Sequence, residues 1–198
     1  MKALCIYHDY HHPGELAKEG LQEITPPEMS IEFTDAEDGI PGDFPTNCSI
    51  LILNKANMTS SDKDASWVTK DWEIQIRDFV ENGGTLLAIH SGLAGYEKGG
   101  ILGSLLGGTF KWHPAMCEVS YRSDSDVFSC RDEHYFVEVY DEDAEIILTS
   151  ESRYGRQPAG WICTRGRGRV VVLTPGHTSD VWNHSAFRKI VLQVLQTK

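Results

Sequence analysis

The 198-residue sequence lacks several features that mark specialised protein classes. Its five cysteines are odd in number and include no Cys-x-x-Cys pair, which argues against a disulfide framework or a thiolate zinc site. No apolar run approaches membrane-spanning length, and the first residues pass into a polar loop too early for a signal-peptide core. Repeats and linkers are also lacking. These absences predict one soluble domain over residues 1–198 in a reducing compartment, the cytoplasm.

Positive charge is scarce, because 18 Lys and Arg residues face 29 Asp and Glu residues and give a net charge of −11. Such a surface repels phosphate backbones and anionic membranes, so neither nucleic acid nor a membrane is expected as a partner. The one basic cluster runs from Arg165 to Arg169 between two strand-like segments, which favours a solvated hairpin turn over a phosphate site. Oligomeric state is not indicated, and a homo-oligomer stays open.

The first half of the sequence alternates buried strands with amphipathic helices. An acidic, Gly/Pro-rich loop is predicted from Asp35 to Pro45. The predicted strands are Ala3–Tyr7, Ser30–Phe33, Ser49–Leu53 and Thr85–Ile89, and the predicted helices are Glu15–Glu23 and Asp71–Glu81.

Past Pro114 the sequence becomes rich in strands, with one closing helix at Ser185–Leu195. The whole pattern predicts an α/β fold with a flavodoxin-like, three-layer arrangement. A mostly parallel central sheet carries helices on both faces, and an antiparallel strand region is added in the C-terminal half. The later strands are predicted at Cys117–Tyr121, Tyr135–Val139, Ile146–Thr149, Gly160–Cys163 and Val170–Leu173.

Histidines follow three of the predicted strands. His11 and His12 come after the first strand, His90 follows Ile89, and His177 follows the last strand. If these strands are neighbours in a parallel sheet, the imidazoles meet at one edge, where they can bind zinc, polarise a carbonyl or shuttle protons. His12 is preferred to His11 because Pro13 fixes the loop beside it.

A histidine at a strand end is often only a hydrogen-bonded loop residue. For His90 and His177 taken together, a role in a site is favoured over that interpretation. For His8, His113 and His184, each taken alone, the interpretation as a loop residue is kept.

Two further residues are candidates for chemistry. The sharp turn after the strand ending at Ile89 resembles a nucleophile elbow, which makes Ser91 a candidate nucleophile or substrate-binding residue. A small residue in a tight turn is more often structural, and that interpretation is favoured over a nucleophile. Glu133 opens a predicted strand and is the candidate acid or base, although charged residues at a strand entrance are usually only solvated.

The segment Gly155–Trp161 is interpreted as a connection between two strands. It places Arg156, Gln157 and Trp161 as candidate substrate-binding residues, because an indole face suits a sugar and a guanidinium suits its oxygens. A core position for Trp161 is equally consistent with the sequence.

Four blocks together resemble the trehalose-utilisation (ThuA-like) family in order and spacing. They are Gly83–Gly92, Asp132–Tyr135, Arg156–Trp161 and Gly166–His177. The resemblance implies a class I glutamine amidotransferase-like fold and a role in the use of trehalose or related disaccharides. Glutaminases of that fold carry a cysteine in the elbow and His-x-Glu after a late strand. Here His90 occupies the elbow and Thr178-Ser179-Asp180 follows His177, so glutamine hydrolysis is not expected.

These observations lead to two hypotheses. The first is an enzyme of carbohydrate metabolism, a hydrolase, isomerase or lyase acting on a small sugar or keto-sugar. In it His12, His90 and His177 bind a divalent metal such as zinc, and His90, His177 and Glu133 are catalytic. The second is a non-catalytic sugar- or partner-binding module that kept the fold and lost the glutaminase triad.

Overall fold

The structure is a computed structural model that describes residues 1–37, 39, 44 and 48–197. Most of the loop predicted from Asp35 to Pro45 lies outside the described residues. The strands are β1 (Lys2–Tyr7), β2 (Ser30–Thr34), β3 (Ile50–Asn54), β4 (Thr85–Ile89), β5 (Gly108–Trp112), β6 (Cys117–Arg122), β7 (Val127–Asp132), β8 (Phe136–Val139), β9 (Glu145–Ser152), β10 (Gly155–Arg165) and β11 (Gly168–Leu173). The helices are α1 (Glu15–Ile24), α2 (Lys70–Glu81), α3 (Ile101–Leu106), α4 (Ser179–Asn183) and α5 (Ser185–Gln196).

A nine-stranded mixed sheet runs through the molecule in the order β2-β1-β3-β4-β11-β10-β9-β6-β7. The first five strands in this order pair in parallel, and the remaining pairs are antiparallel. Strands β5 and β8 form a separate two-stranded sheet. The predicted α/β class and the antiparallel addition in the C-terminal half are confirmed.

The alternation of side chains along the parallel strands creates two cores, one on each face of the sheet. In β1, Ala3 and Cys5 point to the face covered by α1 and α5, whereas Leu4 and Ile6 point to the face covered by α2 and α3. The helices therefore cover both faces of the parallel strands.

Local signals explain the bounds of the best-predicted helix. The Thr69 hydroxyl accepts a hydrogen bond from the Trp72 amide and caps the start of α2, and Gly83, with a φ of 111°, follows its end. Ile76 and Val80 are fully buried on one stripe of this helix.

The predicted connection Gly155–Trp161 is wrong, because these residues belong to the single long strand β10. Proline has no amide hydrogen to donate to a strand ladder, so Pro158 is unusual inside a strand. The strand accommodates it at an irregularity, where the register with β9 shifts between Pro158 and Gly160. The hairpin predicted around Arg165–Arg169 is confirmed, since Arg165 pairs with Gly168 across the turn.

The five cysteines are free thiols. Among the described residues, no helix is both long enough and apolar enough to cross a bilayer.

Candidate functional site

Three histidines meet at the carboxyl edge of the parallel strands. His12 lies in the loop after β1, His90 follows β4 directly, and His177 lies in the loop after β11. Glu133 reaches the same place from the short segment between β7 and β8. One ligand atom from each of these four residues lies within 4.8 Å of the others, so the convergence expected from the strand ends is present.

The backbone at His90 is held in a sharp turn. His90 has a backbone φ of 48°, in the left-handed region that residues other than glycine rarely adopt. A 3-10 turn runs from His90 to Leu93. The chain passes so close to β3 that a Cβ on Gly92 would lie 1.9 Å from the Leu53 carbonyl oxygen. This strained elbow aims the His90 ring at the cluster.

Hydrogen bonds to residues outside the cluster determine which nitrogen of the His90 and His12 rings faces the cluster. His90 Nδ1 lies 2.9 Å from the Thr174 carbonyl oxygen, which can only accept, so Nδ1 carries the hydrogen. His12 Nδ1 lies 2.8 Å from the Asp9 carboxylate and donates in the same way. A ring that carries its only hydrogen on Nδ1 presents the Nε2 lone pair to a cation.

The acceptor atoms of the cluster stand unusually close together. His90 Nε2 lies 3.2 Å from His177 Nδ1 and 3.4 Å from Glu133 Oε2, and the last two atoms are 3.2 Å apart. Ligands at about 2.0–2.1 Å from a tetrahedral zinc ion are separated from one another by about 3.4 Å. These three separations are close to that value, whereas the ligand atom of His12 lies within 4.8 Å of the others. A shared cation or proton would relieve the repulsion between the lone pairs.

The pKa values of the cluster favour one proton on His90 beside an ionised Glu133, with His177 neutral. Burial lowers the pKa of His90, but the hydrogen bond to Glu133 and the charge of Asp132 outweigh it, and the pKa is raised. Burial raises the pKa of Glu133, but its contacts with His90 and the charge of His177 outweigh it, and the pKa is lowered. Burial and the neighbouring His90 lower the pKa of His177 to about 4.

Two buried aspartates support the ligands from behind. Asp9 Oδ1 accepts from His12 Nδ1 and from the amides of His11 and His12, and Oδ2 accepts from the Ala56 amide at 2.9 Å. Burial raises the pKa of Asp9, but the hydrogen bond and charge of His12, with these amides, lower it to about 2. Asp9 therefore stays ionised and fixes the ring of His12.

Asp132 fixes the loop after β11, as Asp9 fixes the loop after β1. Its carboxylate accepts from the Gly176 amide at 3.1 Å, from the His177 amide at 3.0 Å and from the Tyr121 hydroxyl at 2.9 Å. The His177 loop is therefore fixed to the strand that precedes Glu133.

His113 also faces Glu133, at 3.6 Å between Nε2 and Oε2. Its Nδ1 lies 2.9 Å from the Pro114 carbonyl oxygen, and its ring stacks on Tyr135. From the sequence alone His113 is interpreted as a hydrogen-bonded loop residue, because no clear pattern predicts β5, the strand that delivers it to the cluster. Asp9 was also missed, and its spacing of three residues from His12 was the available signal.

The remaining predicted residues fall into two groups. Ser91 lines the same cleft as the histidines, and the exposed His11 lies at its rim. Arg156, Gln157 and Trp161 are absent from its lining. Arg156 pairs with Glu151 at 2.9 Å and Gln157 accepts from the Val137 amide, whereas Trp161 is fully buried and donates to the Leu106 carbonyl oxygen. Trp161 is a core residue because its position in β10 points it at α3.

The cleft beside the cluster has a volume of about 330 Å³. A larger concavity of about 880 Å³ lies over β6, β7 and β9, but its lining residues do not form a metal-ligand group among the described parts of the chain. The residues lining the smaller cleft are His11, His12, Pro13, Glu15, Leu16, Ala17, Asn54, His90, Ser91, Gly176 and His177.

Comparison with known proteins gives a family and several similar folds. Residues 46–196 match the family model ThuA, described as trehalose utilisation, whereas no curated protein matches. A ThuA-like protein of Parabacteroides merdae ATCC 43184 superposes with a TM-score of 0.78 at 14% identity, over 98% of this chain and 88% of that one. A ThuA-like protein of Bacteroides uniformis ATCC 8492 gives 0.73 at 16% identity, over 97% and 89%.

A β-galactosidase of Bacillus circulans sp. alkalophilus also contains this fold. It superposes with a TM-score of 0.70 at 12% identity over 98% of this chain, which spans only 30% of the enzyme. At such identities these structures show a shared fold and nothing about activity.

Proposed function

The chain belongs to the ThuA trehalose-utilisation family, and from this membership we propose that it is a metal-dependent enzyme of carbohydrate metabolism. The observation that carries the proposal is the convergence of His12, His90, His177 and Glu133 within 4.8 Å. Three imidazoles with a carboxylate beside them suit zinc among the common divalent ions.

The proposed roles follow from the hydrogen bonds around each side chain. His12 and His90 through Nε2 and His177 through Nδ1 would hold the ion. A divalent ion held there supplies Lewis acidity toward a hydroxyl or carbonyl oxygen. Glu133, whose side chain is 12% exposed, holds or moves a proton at Oε2, and His113 beside it can exchange that proton with solvent.

The parallel strands support a flavodoxin-like interpretation of the core, in which ligands bind at the carboxyl ends of the strands. The five free thiols agree with a reducing, cytoplasmic location. Glutamine hydrolysis is not part of the proposal, because the elbow carries His90 instead of a cysteine.

The test compares zinc-loaded and chelated protein against a panel of neutral disaccharides and their keto derivatives, beginning with trehalose. Turnover is expected only in the loaded protein. Glu133→Gln should retain zinc and lose turnover by about a hundredfold or more, as expected for a positioned acid or base, while the exposed Glu118→Gln serves as the control. Sugar binding without turnover would favour the binding module, and equal turnover in chelated protein would contradict the metal site.

A further inference from the structure

We propose that Lys55 is a positioning residue of the metal centre, because its buried ammonium group holds the strained turn at His8 in the loop that carries His12. The inference rests on the proposed function. It adds to the metal centre a residue that belongs neither to the cluster nor to the lining of the cleft.

The side chain of Lys55 is an unusual buried charge. The residue follows β3 directly and is fully buried. Lysine is rarely buried unless a carboxylate pairs closely with it, and here Glu37 Oε1 lies 4.0 Å from Nζ, at the outer limit of an ion pair. Burial lowers the pKa of Lys55, and the nearby carboxylates oppose that shift without cancelling it. The buried charge therefore opposes folding, so stability alone does not explain why a lysine occupies this position.

The ammonium group contacts the backbone of the loop after β1. Nζ of Lys55 donates a hydrogen bond to the His8 carbonyl oxygen, which also accepts from the Ser60 hydroxyl at 3.3 Å. His8 has a backbone φ of 69°, in the left-handed region, and such a conformation persists only where the surrounding structure holds it. The two donors fix the direction of the peptide group that joins His8 to Asp9.

This peptide group leads directly to the support of a metal ligand. Asp9 Oδ1 accepts from His12 Nδ1 at 2.8 Å, and Asp9 Oδ2 accepts from the Ala56 amide at 2.9 Å. The side chain of Lys55 and the amide of the next residue therefore anchor two consecutive residues of the loop. The Tyr96 hydroxyl donates to the Lys55 carbonyl oxygen at 2.6 Å, so the anchor is itself fixed.

The charge of Lys55 by itself would have the opposite effect on a bound ion. A positive charge near a cation site repels the cation, so removal of that charge alone should tighten zinc binding. Loss of the anchor should weaken zinc binding, because the turn at His8 can relax and move the His12 ring. The sign of the change in zinc affinity therefore distinguishes positioning from charge.

The test uses Lys55→Met, which removes the ammonium group and keeps a side chain of similar length. The zinc Kd, measured by competition with a chromophoric chelator, should rise about tenfold, the lower end of the loss expected when the support of a metal ligand is removed. The metal-free variant should unfold at an equal or higher temperature, because an apolar side chain replaces a buried charge and Ser60 still donates to the His8 carbonyl oxygen. The exposed Lys63→Met is the control and should change neither quantity.

Ser60→Ala removes the second donor to the same carbonyl oxygen without a change in charge. It should raise the zinc Kd about twofold to threefold, the lower end of the effect of one neutral hydrogen bond, and it decides the question if Lys55→Met does not fold. Failure of the unaltered protein to bind zinc would overturn the proposed function and this inference with it. If the unaltered protein binds zinc, the inference alone is overturned by equal or tighter binding in Lys55→Met, by an unfolding temperature that falls together with the affinity, or by unchanged affinity in Ser60→Ala.

Discussion

Asp9 illustrates how a residue outside the cluster prepares a metal ligand. It is 2% exposed, and its two oxygens accept four hydrogen bonds from a ring and three amides. A carboxylate is needed there because an amide side chain would present one acceptor oxygen and turn its NH2 group toward a donor. The His12 ring is therefore fixed in orientation and tautomer before any ion binds.

Asp9→Asn is expected to weaken zinc binding about tenfold to a hundredfold, although every ligand residue remains. It should also lower the free energy of unfolding by about 1–3 kcal/mol, because a buried donor loses its acceptor. Zinc affinity is measured by competition with a chromophoric chelator, and stability by chemical denaturation. Asp124→Asn, at an exposed position, is the control, and equal zinc affinity in both variants would show that Asp9 has no part in ligand orientation.

For single residues, the sequence could predict the histidines of the site but not the residues that form hydrogen bonds with them from distant parts of the chain. The strands that precede His12, His90 and His177 are visible as apolar runs followed by polar loops. The partners Thr174 and Asp132 act through contacts with residues 84 and 45 positions away, respectively, which no local pattern records. For Trp161 the local pattern is visible but ambiguous. An aromatic residue near Arg and Gln occurs both in sugar-binding sites and in protein cores.

Among the elements, the elbow after β4 controls the site most directly. It combines a strained His90 with a glycine that has no room for a side chain, because the Leu53 backbone lies against it. Backbone atoms cannot move aside as a flexible side chain can. The placement of His90 and Ser91 therefore depends on glycine at position 92.

Gly92→Ala is expected to destabilise the protein by about 1–3 kcal/mol or more and to lower zinc affinity, because the turn must move away from β3. Gly99→Ala is the matched control, since a Cβ there meets nothing within 4 Å. That variant should be neutral or slightly stabilising, by about 0.4–1 kcal/mol. Thermal unfolding and zinc titration measure both effects, and similar behaviour of the two variants would mean that the elbow tolerates displacement.

The elements themselves were predicted unevenly, for physical reasons. Buried parallel strands such as β3 and β4 are continuous apolar runs, so their positions were visible in the sequence. Strand β7 alternates exposed and buried residues and contains Ser129, Arg131 and Asp132, so it lacks the continuous apolar run that marks β3 and β4. Strands β5 and β8 form a small separate sheet beside the cluster, and only long-range pairing defines it.

At the scale of the whole molecule, the four residues of the cluster come from segments far apart in the chain, from His12 to His177. The sheet that brings them together includes strands from both ends of the described chain. An ion that binds the assembled site, and not the unfolded chain, must stabilise the whole fold.

Thermal unfolding is therefore expected to show one cooperative transition over the chain, shifted upward by zinc. At a free zinc concentration of a hundred times Kd the added free energy of unfolding is about 2.7 kcal/mol. Calorimetry with and without zinc measures the shift. Two separate transitions would contradict a single domain, and an unchanged midpoint would contradict a site that forms only in the folded state.

The most direct test of the metal centre is elemental analysis of protein purified without chelator or affinity metal and then equilibrated with limiting zinc. The intact chain is compared with a double variant carrying His90→Ala and His177→Ala, each checked for folding by circular dichroism. One zinc ion per chain that is absent from the folded double variant is the predicted result. A folded intact chain without zinc, or equal zinc in both proteins, would contradict the proposed centre.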